Sequence, residues 1–144
     1  MLSAEADYGK WLTKAANDLL NIENNLRAEQ VPWDTVCFHA QQCAEKTLKA
    51  FLVYHDMRPQ RTHDLSLLLR DCVAVEPQLI ELEDVCRQLT AYAVSGRYPD
   101  VFDVEEDEGR QALVALEQIR AAVLPLLPAT YVSGQASIDS QVGD

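Results

Sequence analysis

The chain has 144 residues, 48% of them hydrophobic and 24% charged, with a formal net charge of −11. That length fits one domain with one core, and no run of about 18 apolar residues is present to span a membrane. The acidic balance argues against non-specific binding to duplex nucleic acid, which needs a basic surface.

The opening, MLSAEADYGKW, lacks a basic segment followed by an apolar one, so no secretory signal is expected and the protein is placed in the cytoplasm. Leu12, Ala15, Leu19, Ile22 and Leu26 recur at steps of three and four, which predicts a first helix over about residues 4–28 with Ser3 as its cap. Pro32 breaks it, and Asp34 is the expected cap of a second helix over about 34–56. Cys37, Ala40, Ala44, Thr47 or Leu48, and Phe51 supply the apolar stripe of that helix.

After the loop DMRPQRTHD, Thr62 is the expected cap of a shorter helix, HDLSLLLRDCVAV. Pro77 suits the first turn of the next helix, where Leu82, Val85, Leu89 and Tyr92 again step by three and four. Gly96 and Pro99 mark a second loop, SGRYPDVFDV. The last helix is expected to start in the acidic run from Asp103 to Glu108 and to bury Leu116, Ile119, Val123 and Leu126, with Pro125 fraying its end. Residues 128–144 have little to bury and are expected to be a disordered tail. With no alternating strand pattern, the fold class is all-α: an up-and-down antiparallel four-helix bundle with one additional short helix, occupying residues 1–127.

Cys37, Cys43, Cys72 and Cys86 contain no C-x-x-C pair. They read as small buried hydrophobes rather than zinc ligands or a redox centre, and no metal is expected. Three other groups carry chemistry. On the second helix His39, Gln42, Lys46 and Lys49 line one face beside the apolar stripe, and Glu45 can reach Lys49 one turn on. That face reads either as a solvated surface with a helix-stabilising ion pair or as a dimer interface. In the first loop Arg58, Arg61, His63 and Asp64 cluster, two guanidiniums beside an imidazole, with helix-start amides to help hold a phosphate. In the second loop Arg97, Tyr98 and Asp100 could hold a phosphate, stack on a base and bond a sugar hydroxyl, or form a structural turn. No glycine pattern of a Walker or Rossmann loop is present.

Taken together, FHAQQCAEKTLKAFL, RTHDLSLLL and AYAVSGRYPD, in that order, resemble the HEPN domain (higher eukaryotes and prokaryotes nucleotide-binding) over about residues 5–127. The resemblance implies a homodimer, a nucleotide such as ATP or GTP rather than a required cofactor, and a minimal nucleotidyltransferase as partner in a toxin–antitoxin-like pair. In the branch with THDL and RYPD motifs, the nucleotide- or phosphate-binding positions that carry over are Gln42, Lys46, His63, Asp64, Arg97, Tyr98 and Asp100. Gly96 stands where relatives tend to have a larger residue. Some members of the family are metal-independent ribonucleases, with an arginine and a histidine four to six residues apart near the last long helix. Arg87 has no such histidine after it. Only His63 with Arg58 or Arg61 remains as a catalytic alternative acting on RNA, and a dimeric scaffold without ligand is the other.

Overall fold

A computed structural model describes residues 4–93 and 103–128. Five α-helices, and no strand among the described residues, make up the fold: α1 (Ala4–Leu26), α2 (Trp33–Tyr54), α3 (Leu65–Val75), α4 (Glu83–Thr90) and α5 (Glu106–Val123). Short 3-10 helices cover Pro77–Leu82 and Leu124–Leu126. No described helix is long and apolar enough to cross a membrane.

The sequence periodicity maps onto the core. Leu12, Ala15, Leu19 and Ile22 of α1 are buried, as are Leu116, Ile119 and Val123 of α5, while Leu26 and Leu126 are partly covered. Each fully buried Leu, Ile or Phe contributes about 1.5–3 kcal/mol relative to exposure. All four cysteines are buried, and none of them is in a disulfide. Burial is the main cause pushing the thiols of Cys37, Cys72 and Cys86 up to about 12, which leaves them protonated and unreactive.

Helix α2 is the centre of the bundle, packing chiefly on α1 and also on α5 and α3. Its buried set goes far beyond one stripe and takes in Val36, Cys43, Ala50 and Leu52, and also the polar Gln41, Glu45, Thr47 and Lys49.

Several helix ends differ from expectation. Pro32 accepts the first intrahelical bond from Val36 N–H (3.0 Å), so α2 starts at Trp33 and Asp34 sits inside the first turn. Asp64, not Thr62, caps α3, because it directly precedes the first helical residue and its Oδ1 accepts from Ser66 N–H at 2.9 Å. Thr62 Oγ1 instead accepts from the Asp64 N–H. The helix expected from Pro77 is split: Leu79 and Leu82, three apart, suit a 3-10 turn of three residues, and the α spacing resumes with Cys86 and Leu89. At the end of α2, Asp56 takes a left-handed φ of 63° while Met57 N–H reaches back to Leu52 O at 2.9 Å, a helix stop usually built on glycine. The expected Ser3 cap and the tail from residue 129 lie outside the described residues.

Candidate functional site

Two buried carboxylates organise the polar face of α2. Asp18 projects from α1, inside that helix's apolar stripe, and both of its oxygens are taken by α2. His39 Nδ1 donates to Oδ1 (2.8 Å) and Lys46 Nζ donates to Oδ2 (2.6 Å). Glu45, on α2 itself, repeats the pattern: His63 Nδ1 donates to Oε1 (2.9 Å) and Lys49 Nζ to Oε2 (2.9 Å). Lys49 also lies over the Trp11 ring of α1, 5.3 Å from its centroid.

Gln41, fully buried, joins loop to helix. Its Nε2 donates to the His63 carbonyl (2.8 Å) and to Glu45 Oε1 (3.3 Å), and its Oε1 accepts from Gln42 Nε2 (2.6 Å). Burial alone would raise the Glu45 carboxyl, but hydrogen bonds from Lys49, His63 and Gln41 with the Lys49 charge hold it below its usual range. The face is therefore an interhelical network and not a plain solvated surface. The expected Glu45–Lys49 pair is present, but enclosed.

The loop motif is only partly convergent. His63 meets the network while keeping 65% of its side chain exposed. Arg58 and Arg61 are exposed, with no ion-pair partner among the described residues. Two of the amides expected for a phosphate at the start of α3 are already engaged. Ser66 N–H is held by Asp64, and Leu65 N–H donates to Thr90 Oγ1 of α4 (3.0 Å). Asp64 is engaged as a cap, and its charge at that helix end opposes an anion.

Arg97, Tyr98 and Asp100, with Gly96, lie outside the described residues. Described residues on either side of them in the sequence are bonded into the bundle. Thr90 is tied to Leu65, and Tyr92 OH donates to Glu108 in the first turn of α5. Burial is the first cause, and that bond the second, raising the Tyr92 hydroxyl well above its usual range. Gly109 of α5 lies so close to Trp33 that an added Cβ would meet Cε3 at 2.3 Å. Thr90, the last residue of α4 and seven positions before Arg97 in the sequence, is thus bonded to the residue two beyond His63.

A separate hollow of about 330 Å³ between α4 and α5, lined by Val85, Gln88, Arg110, Gln111 and Val114 among others, contains none of the motif residues. No group of three or more metal-ligating side chains converges among the described residues.

Sequence reading missed Asp18 and Gln41. The one signal for Asp18 was its position, three after Ala15 and four before Ile22 on the buried face of α1. Arg120 gave the same kind of signal on α5, four after Leu116 and three before Val123, and it too is buried.

A family model for the HEPN domain matches residues 8–126 of the chain. No curated protein and no solved structure matches it.

Proposed function

The chain belongs to the HEPN domain family, and on that premise we propose that it is a nucleotide- or phosphate-binding module whose site lies on the polar face of α2. The observation that carries this reading is the network itself: Lys46 and His63 are held by two buried carboxylates in mid-helix, and Gln42 is held by the amide oxygen of the buried Gln41. The THDL segment meets that network through His63, and Thr90, seven positions before Arg97 in the sequence, is bonded to Leu65 just beyond that segment. Arg58, Arg61 and Arg97 supply phosphate contacts, and Tyr98 supplies a stacking face. The module acts as a homodimer with a minimal nucleotidyltransferase, in a toxin–antitoxin-like pair. Calorimetric titration of ATP and GTP tests the ligand part: wild type binds at least one of them, and Arg97→Ala weakens it about tenfold or more. Absence of heat with wild type refutes it.

One observation favours a second reading. His63 is largely exposed, yet its Nδ1 is oriented by a buried carboxylate, with Arg58 and Arg61 in the same loop. That is a positioned proton acceptor with cations for a scissile phosphate, the minimum for metal-independent RNA cleavage. Incubating transfer or messenger RNA with the protein in chelator decides it. Cleavage that vanishes in His63→Ala favours this reading, and intact RNA or unchanged activity in the variant removes it.

A further inference from the structure

We infer that Asp18 fixes which nitrogen of His39 faces a ligand, so that the α2 face reads the ribose hydroxyls of a nucleotide and leaves its phosphates to the arginines. The inference rests on the nucleotide reading above and adds a division of labour within it.

An ionised carboxylate only accepts hydrogen bonds. Asp18 is engaged on both oxygens, by His39 Nδ1 at 2.8 Å and by Lys46 Nζ at 2.6 Å. Nδ1 of His39 therefore carries the hydrogen, and in the neutral imidazole Nε2 is left as a lone pair. His63 is set the same way by Glu45, whose second oxygen holds Lys49. Two separate carboxylate–imidazole–ammonium units thus impose one polarity on the face.

The charges close as well. Two ammonium groups sit against two carboxylates, which makes the network neutral when both imidazoles are neutral. Neither lysine is a spare clamp for an anion. A phosphate oxygen brought against Nε2 of His39 would meet a lone pair with a lone pair. A sugar hydroxyl brings a hydrogen and fits. His39 keeps 20% of its side chain exposed, enough for one such bond, while Asp18 behind it is enclosed. Arg58 and Arg61, exposed in the neighbouring loop, remain for phosphate. His39 is the group that touches the sugar, and Asp18 is a positioning residue acting through it.

The test uses the full chain at pH 8, where ordinary imidazoles are neutral. Dissociation constants are measured for ATP and GTP, their 2′-deoxy and 3′-deoxy forms, and inorganic tripolyphosphate. For the nucleotide that binds, at least one deoxy form is expected to bind about five- to tenfold more weakly, the loss of one hydrogen bond to a buried-side acceptor. Asp18→Asn, nearly isosteric and able to donate to Nδ1, is expected to erase that difference, and because it also removes the charge facing Lys46 it is expected to leave tripolyphosphate binding no weaker than in wild type. Equal constants for ribose and both deoxy forms overturn the inference and leave the nucleotide reading standing, as does discrimination that survives Asp18→Asn. Failure of every nucleotide to bind refutes the reading and the inference together. A long-range proton–nitrogen spectrum of the unliganded wild type tests the tautomer by itself, with neither ligand nor variant. It is expected to show His39 as the Nδ1–H form, and an Nε2–H signal overturns the inference.

Discussion

Glu45–Lys49 on α2 and Glu106–Arg110 on α5 are the same device in sequence, an acid followed four residues later by a base. In space they are opposites. The α2 pair is enclosed, with side chains 5% and 10% exposed at 2.9 Å, and it shares its carboxylate with His63. The α5 pair is closer, at 2.7 Å, but its side chains are 59% and 61% exposed. Water screens the second and not the first, so the shorter contact is the weaker one. An ion pair gains its weight from what surrounds it, and that is decided by other helices.

The largest test of this contrast is Glu45→Ala, which leaves Lys49 buried without its carboxylate. A loss of about 3 kcal/mol or more in urea unfolding at pH 7 is expected, and a loss no larger than that of Glu106→Ala would break the comparison. Titrating stability sharpens it. The folded-state value of Glu45 is depressed below 4.5, so its contribution is present above that pH and is lost as pH falls through the lowered value. Glu45→Gln should therefore flatten the acid limb of wild-type stability, measured by the urea midpoint, and an unchanged limb would count against the network.

Next in size is Gly109→Ala, one residue from Arg110. The new Cβ collides with the Trp33 ring, and a net loss of about 1–3 kcal/mol is expected even though alanine favours helix. A thermal midpoint at or above wild type would show that the ring yields freely. Asp56→Gly removes a surface charge and relieves a left-handed backbone, and should raise stability by about 0.5–1 kcal/mol in the same assay. Asp56→Asn separates the two causes, since it removes only the charge. The smallest effect belongs to Glu106→Ala, about 0.5 kcal/mol or less and fading in high salt.

The parts of the fold legible in the sequence were those governed by local rules. Leu12, Leu19, Leu48, Leu89 and Ile119 declared their faces by spacing, and proline marked the breaks. The polar partners did not, because they are set by docking between helices. Lys46 meets Asp18, 28 residues away, and His63 meets Glu45, 18 residues away. Spacing on α2 alone placed Lys46 and Lys49 together on one face, but could not say that each answers a different carboxylate. Thr62 was the expected cap of α3, and the structure gives that place to Asp64. The register of α3 decided this, and with it two of the amides supposed to cradle a phosphate are engaged by Asp64 and Thr90.

The linkage between α1 and α2 has a kinetic consequence. Only residues 27–32 separate these two helices, and they share the most extensive packing among the described helices. Closing so short a loop carries little entropy cost, so this hairpin is the natural nucleus of folding. Asp18 would then meet Lys46 and His39 before α5 docks, and the ligand-facing polarity of the protein would be set in its first folding step. Charge reversal by Asp18→Lys should accordingly slow refolding more than it speeds unfolding.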